Sequence, residues 1–479
     1  VRRGESILPE TVSFIRGLCD FRRIQGDDDM TTRLLEKYGA ARLPRYTSYP
    51  TAPLFSPAVD ARDYAGWLAA LTPDTRAALY LHVPFCREMC WYCGCHTSIT
   101  RRDEPVEAYL AAMMQEVACV AGFAGDNAIV DDVHFGGGTP TIMRPEAFLN
   151  VMQALRRHFR LHDDTTIAVE IDPRTLTRDM VFALAEGGVR RASLGVQSFD
   201  PHVQQAINRV QSAARTADAI GDLRRAGIQS INVDLIYGLP HQTERSCVDT
   251  ARDAIAMRPD RFAVFGYAHV PSFKRHQRLI DESILPGARE RDAQAEAIAQ
   301  TLIDAGYLRI GLDHYALPED SLAQAQASGR LRRNFQGYTT DASEALIGLG
   351  ASAIGQMPQG FIQNEVSTHA YQRRIHAGDL ATVKGYVLTA EDRLRALVIE
   401  RLMCDFRVDL AEAGRLHGMD AEFLIAHNDR LDALCADGVV TIDAGVVSVR
   451  GDHRFLIRNV AACFDAYLGG TARTHGQAA

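Results

Sequence analysis

Positive charge is in short supply in this chain: 52 Lys and Arg face 60 Asp and Glu, a formal net charge of −8. That balance argues against nucleic acid or an anionic membrane as the principal partner. Also missing is any run approaching the ~18 or more apolar residues that a membrane span requires. The opening VRRGESILPETVSFIRGLCDF has early arginines but no apolar stretch ending in a small-residue cleavage site, so no secretory signal is expected. No internal repeat or low-complexity tract stands out. With 47% hydrophobic and 23% charged residues, the 479-residue chain can bury a sizeable core, which excludes disorder as its main state. The expectation is a cytoplasmic monomer of about three domains, at ~150 residues each.

What the sequence does hold is a knot of cysteine. Of its 10 cysteines, Cys86, Cys90, Cys93 and Cys95 fall within ten residues, while Cys19, Cys119, Cys247, Cys404, Cys435 and Cys463 are scattered. A disulfide framework belongs to short secreted chains, and this chain is neither short nor secreted in appearance. The cluster therefore reads as a ligand set.

From about residue 77 to 270, short β-rich runs alternate with helical patterns. The runs are Ala78–Val83, Ile129–Phe135, Thr166–Ile171, Arg190–Val196, Ser230–Ile236 and Arg261–His269. Amphipathic stretches such as Pro105–Ala121 and Glu146–Phe159 lie between them. Six strand-then-helix repeats predict an α/β fold: a partial (β/α)6 TIM-like barrel of parallel strands, short of the eight units of a closed one. Residues 1–76 precede it, with Arg45–Ala52 (RYTSYPTA) suited to an ordered arm. The barrel domain is expected over residues 77–384, including a Gly-rich segment at Gly348–Gly355. Residues 385–479 are expected to form a smaller, mostly helical domain, with a hairpin at Gly438–Val449 and a last helix ending near Leu468. Its helices-then-hairpin order resembles a winged helix, but 10 Lys and Arg against 14 Asp and Glu in residues 391–479 is the wrong sign for DNA. A lid over the substrate is the better expectation. Val1–Asp29 are expected to be disordered or peripheral and dispensable for turnover.

The cysteines stand in Cys86-Arg-Glu-Met-Cys90-Trp-Tyr-Cys93-Gly-Cys95, in a loop leaving the C-terminal end of the first predicted strand. Thiolates suit zinc or an iron–sulfur centre. A closed zinc site would normally pair two CxxC knuckles, and no second knuckle follows. Cys86, Cys90 and Cys93 can instead hold three irons of a [4Fe–4S] cube and leave the fourth open. Zinc or an inert thiol cluster are the competing readings.

CxxxCxYC after a first strand, followed by Gly136-Gly-Gly-Thr-Pro140 at the second, resembles the radical S-adenosylmethionine (SAM) superfamily. There the open iron binds SAM, whose reductive cleavage yields a 5′-deoxyadenosyl radical. RYTSYPTA, the extra Cys95, VEIDPR at Val169–Arg174, LGVQSFD at Leu194–Asp200, INRVQ at Ile207–Gln211, NVDLIYGLP at Asn232–Pro240 and RNFQGYTT at Arg333–Thr340 are similar to the oxygen-independent coproporphyrinogen III oxidases of haem synthesis. The resemblance runs from about Met30 to the end. It implies oxidative decarboxylation of the ring A and ring B propionates to vinyl groups, giving protoporphyrinogen IX. It also implies a reducing partner such as flavodoxin or ferredoxin.

Carried residue by residue, the resemblance makes Cys86, Cys90 and Cys93 the ligands, with Cys95 a fourth cysteine that does not ligate. Tyr80, Tyr92, Gly137, Gly138 and Thr139 would contact SAM, and Glu170 would hold its ribose. A structural pairing of Glu170 with Arg174 is the plain alternative. Gln197, Arg209, Asp234, Ala268 and Ile354 would contact chiefly a second SAM. Tyr80, His82 and Arg209 are the expected catalytic set, and a buried, hydrogen-bonded histidine is the bland reading of His82. Four substrate carboxylates call for a cationic lining, with Arg45, Arg174, Arg209, Arg333 and His82 as candidates. A haem-binding carrier on the same scaffold is the alternative function, and a nucleic-acid-modifying radical enzyme a third that the net charge opposes.

Overall fold

The computed structural model describes Met30 and residues 33–39, 41–125 and 127–468. Val1–Asp29, expected to be peripheral, lie outside the described residues. Six strands rise in chain order: β1 (Arg76–Val83), β2 (Ile129–Gly137), β3 (Arg160–Ile171), β4 (Arg191–Gln197), β5 (Ser230–Tyr237) and β6 (Arg261–Gly266). Each pairs in parallel with the next. Helices alternate with them: α1 (Glu104–Ala124), α2 (Pro145–His158), α3 (Arg178–Glu186), α4 (Ala213–Arg225), α5 (Glu244–Ala256) and α6 (Ala288–Asp304). In α2 the buried residues are Phe148, Val151, Met152 and Leu155, the 3–4 spacing that turns one apolar stripe onto a sheet. β1 buries six of its eight residues because layers cover both of its faces.

The sheet continues through β7 (Leu308–Ile310), β8 (His314–Ala316), β9 (Ala345–Leu349), β10 (Ile354–Met357), β11 (Gly360–Asn364) and β12 (Thr382–Val387). Its twelve strands run β12-β11-β10-β9-β1-β2-β3-β4-β5-β6-β8-β7, and among the described residues no ladder joins the two outer strands. The architecture is thus a partial TIM-like barrel. It holds a seventh parallel strand beyond the six expected, because β9 pairs with β1 in register Tyr80↔Gly348. The glycines of Gly348–Gly355 hid it: a Cβ on Gly348 would sit 2.6 Å from Ile354 O, so close packing demands the residue that weakens a strand signal.

Two apolar cores result. The first runs from Val59 to Ala381 and fills the space between sheet and helices. The second joins Leu34, Leu43, Tyr46 and Tyr49 to α7 (Ala390–Asp405), α8 (Leu410–His417), α9 (Asp429–Ala436) and α10 (Ile457–Ala462). RYTSYPTA is an ordered arm: Tyr46 donates its hydroxyl to Asp465, and Tyr49 accepts from the Ala466 amide. β12 runs across the boundary expected at 384/385. The hairpin expected at Gly438–Val449 forms as β14 (Val440–Asp443) and β15 (Val446–Val449), with β13 (Arg407–Asp409) as third strand. The last helix ends at Ala462 rather than near Leu468. Tertiary partners take the backbone groups beyond it, Asn428 bonding Cys463 O and Arg395 bonding Phe464 O.

α1 is long and apolar enough to cross a membrane, but half of that stretch is buried inside the protein. It carries a buried carboxylate, Glu116, which accepts from Gly350 N (2.6 Å), Tyr371 Oη (2.7 Å) and Asn364 Nδ2 (2.8 Å). These bonds tie α1 to the turn after β9 and to β11. Burial pushes its carboxyl up to about 7 despite the three donors. A carboxyl raised on folding contributes stability that is complete below its unfolded value of 4.5 and is lost as pH rises through the folded value. The gap is worth of order 3 kcal/mol. Between about pH 5 and 8 the parent should lose that much more unfolding free energy than Glu116→Gln, measured in denaturant titrations. Parallel pH slopes for the two proteins would refute it.

Candidate active site

Parallel barrels place chemistry at the C-terminal ends of their strands, and β1 ends there in the cysteine loop. The loop is fastened to β2 through glycine: Gly138 N donates to Val83 O and Thr139 N to Phe85 O. A Cβ on Gly138 would lie 2.5 Å from Phe85 O and 2.6 Å from Thr97 Oγ1, and one on Gly137 would touch the His82 ring. On the far side the loop is held by its carbonyls. Lys274 donates to Cys95 O, His276 to Cys93 O, and Gln277 to Tyr92 O.

Each of the three expected ligand sulfurs accepts from a protein donor. Cys86 Sγ accepts from Thr97 (3.3 Å) and Thr139 (3.4 Å). Cys90 Sγ accepts from Arg209 (3.5 Å) and Arg174 (3.6 Å), and Cys93 Sγ from the Cys95 amide (3.4 Å). Cys95, on the exposed rim, lowers the Cys93 thiol by hydrogen bonding, outweighing burial, while its own thiol is driven up. Three soft donors on one loop, none in a disulfide and each supplied with a group that stabilises thiolate, fit an iron–sulfur cluster.

Inside the barrel Glu170, on β3, keeps 41% of its side chain open to the void. It accepts from Gly137 N (3.1 Å) and His134 Nε2 (3.4 Å), which together outweigh burial and hold its carboxyl below the usual range. The pairing with Arg174 does not form. Arg174 instead grips Asp172, its Nη2 at 2.7 Å, and Asp172 also takes Arg209 at 3.3 Å. Arg209 further donates to Gly195 O (2.6 Å), and its Nε is buried without a protein partner among the described residues. Asp234, on β5, accepts from Asn232 (2.7 Å) and Ser193 (3.1 Å), and burial with the Glu170 charge raises it to about 6.

His82 is buried at 7% exposure. Its Nε2 meets His96 O at 3.0 Å, an atom that can only accept, so Nδ1 accepts from Tyr80 Oη at 3.0 Å. Burial keeps the ring neutral. Both ring nitrogens of His82 are engaged in hydrogen bonds. Tyr92 packs against a small cluster containing Val203, Ile207 and Leu239. Gln197 ends β4 at φ 70°, a left-handed residue at the strand terminus. Ile354 starts β10, across β9, β1 and β2 from Glu170, while Ala268 follows β6 and accepts from Gln277.

The cationic candidates separate. Arg174 and Arg209 are committed to Asp172 beside Cys90. Arg45 and Arg333 instead line a cavity of ≈ 680 Å³ between the barrel mouth, the arm and the C-terminal helices. Sequence reasoning missed His134, which stacks on Tyr80 with ring centres 5.9 Å apart and holds Glu170. It also missed Asp172, although the DPR within VEIDPR carried that signal.

The radical SAM superfamily matches residues 80–254 of this chain. The chain is 57% identical over 449 residues to the oxygen-independent coproporphyrinogen III oxidase of Bradyrhizobium diazoefficiens, covering 94% of this chain and 100% of that one. It is 42% identical to the same enzyme of Cereibacter sphaeroides, over 92% and 98% of the two chains. The solved coproporphyrinogen III oxidase of Escherichia coli, described as a radical SAM enzyme, superposes with a TM-score of 0.85 at 36% identity, over 89% of this chain and 100% of that one.

Proposed function

The chain belongs to the oxygen-independent coproporphyrinogen III oxidases of the radical SAM superfamily, and from that membership we propose how its residues share the work. It is an oxidoreductase of haem synthesis that uses a [4Fe–4S] cluster and SAM to decarboxylate coproporphyrinogen III anaerobically. The haem-carrier reading has no support in these relatives. A cluster held there would supply the electron for reductive cleavage of SAM, and SAM would supply the oxidising equivalent that removes hydrogen from a propionate.

Cys86, Cys90 and Cys93 hold that cluster, with Cys95 beside them as hydrogen-bond donor rather than ligand. Tyr80, Tyr92, Gly137, Gly138, Thr139 and Glu170 surround the first SAM. Glu170 suits the ribose because its oxygens are oriented by Gly137 and His134 yet half open. Gln197, Arg209, Asp234, Ala268 and Ile354 line the place of a second. Tyr80 and Arg209 touch the reacting groups; His82 positions Tyr80, and Asp172 positions Arg209. We divide the chain into an N-terminal extension and arm (1–76), the barrel (77–384) and a C-terminal lid (385–479); the described arm and C-terminal helices lie over the barrel mouth and keep out the water that would quench a radical. The protein works in the cytoplasm as a monomer, reduced by a carrier such as flavodoxin or ferredoxin.

The observation that carries this reading is the three-cysteine loop and the open Glu170 carboxylate at one mouth of one barrel. Its test is anaerobic turnover: reconstituted protein with SAM, reductant and coproporphyrinogen III should yield vinyl product and 5′-deoxyadenosine. Haem binding without turnover would overturn it. Glu170→Ala should raise the KM for SAM about tenfold or more while the cluster absorption persists, since it loses hydrogen bonds to a charged acceptor. An unchanged KM would remove Glu170 from the SAM site.

A further inference from the structure

The ≈ 680 Å³ cavity is of a size that takes one organic ligand, and its charge is opposite to that of the chain. Seven arginines and five carboxylates line it, in a protein of net charge −8. Four of those arginines come from four separate parts of the sequence. Arg45 lies on the arm, Arg291 on α6, Arg333 in the short ribbon Arg332–Asn334/Gly337–Thr339, and Arg458 on α10.

Arg45 and Arg333 hydrogen-bond to neutral backbone carbonyls. Arg45 donates to Gly266 O and Arg333 to Arg45 O, both at 3.4 Å. Arg291 lies over Tyr237 at 5.7 Å and Arg333 over Tyr338 at 4.4 Å. Arg291 Nε, Arg333 Nε and Arg333 Nη1 are buried with no protein partner among the described residues. Arg458 holds the arm through Pro44 O and Leu43 O. The guanidiniums also repel one another. Beyond burial, Arg45 depresses Arg291, and Arg45 and Arg333 help bring Arg458 down to about 10. Three of the carboxylates are occupied elsewhere: Glu282 with His269, Glu296 with Arg309, Asp452 with Arg450. Asp292 also has a partner. Asp313, bonded to His314, is the anion that Arg333 and Arg45 feel directly. Three buried or half-buried cations and the more exposed Arg45, gathered around one carboxylate, are destabilising alone and stabilising around an anionic ligand.

We propose that Arg45, Arg291, Arg333 and Arg458 form a clamp for the propionate carboxylates of the two substrate rings that are not decarboxylated. This inference rests on the decarboxylase reading above and adds which propionates the cavity takes. Gln277 joins the two regions, donating to Tyr92 O in the cysteine loop (3.0 Å) and to Ala268 O in the cavity wall (3.2 Å). A guanidinium favours a carboxylate over the neutral CO2 it becomes. Gripping a reacting propionate therefore stabilises the ground state more than the transition state and slows its loss. The two retained carboxylates carry no such penalty, and they anchor substrate and product alike.

The test uses full-length, cluster-reconstituted protein and unreactive oxidised porphyrins, with binding followed by fluorescence quenching. Coproporphyrin III (four carboxylates) and protoporphyrin IX (the two retained ones) should both bind far better than their methyl esters. Arg333→Met and Arg291→Met should each weaken both acids by the same factor, about tenfold or more, with Arg333→Lys in between because it keeps charge but loses the planar fork. Equal affinity of acids and esters for the parent protein overturns the proposal, and needs no variant to fold. Unchanged affinities in the variants overturn it too, as would a loss confined to coproporphyrin, which would place the clamp on the reacting propionates. Absence of vinyl product from the parent protein would instead sink the decarboxylase reading itself.

Discussion

Cys93→Ser is expected to abolish cluster absorption and SAM cleavage together, while Cys119→Ser leaves both at the parent level. A serine hydroxyl ionises far less readily than a thiol and is a hard donor, so it inherits the Cys95 amide without supplying the soft anion an iron–sulfur centre needs. Two remaining sulfurs do not hold a cube. Cys119 lies half-buried on α1, where burial raises its thiol and nothing enlists it. Iron and sulfide content after anaerobic reconstitution, with 5′-deoxyadenosine release, reads both variants. Full iron loading in Cys93→Ser, or its loss in Cys119→Ser, would overturn the ligand assignment.

The second large effect needs no change to a sulfur. Gly138→Ala should fold into the barrel yet fail to load the cluster. The added methyl would fall 2.5 Å from Phe85 O and 2.8 Å from Phe85 N, backbone atoms that no rotamer change can move aside. Overpacking of this kind costs about 1–3 kcal/mol or more. Its relief is cheapest where the cysteine loop peels from β2 and breaks the Thr139 N–Phe85 O bond. Gly94→Ala is the contrast, since nothing lies within 4 Å of its Cβ position. Reconstitution with iron counting and far-ultraviolet circular dichroism separates the outcomes. A Gly138→Ala protein with native helicity and full iron would show that the seam yields elsewhere.

The strands, the crossover helices and the arm were legible because parallel strands buried on both faces leave dense apolar runs, and helices leave 3–4 stripes. β9 was not, since the same glycines that admit Ile354 against it erase the β-branched signature. At the site, spacing alone exposed Cys86, Cys90 and Cys93, because one short loop supplies all three. The arginines could not be sorted that way. Arg174 and Arg209 are 35 positions apart and share one carboxylate, whereas Arg45 and Arg333 meet across 288 positions. Only the tertiary fold decides which guanidinium is already spoken for. His134 escaped for a related reason: it reaches Glu170 from the neighbouring strand, a proximity set by sheet order.

The second core has a bearing on biosynthesis. Tyr46 and Tyr49 leave the ribosome well before their apolar cover, from Leu394 to Phe464, is translated. The barrel from Val59 to Ala381 can therefore mature during elongation, while the arm's aromatic residues wait in solvent or with a chaperone for the helices from Leu394 onward. Nascent chains stalled short of residue 394 should present these tyrosines to protease, and released full-length chains should not.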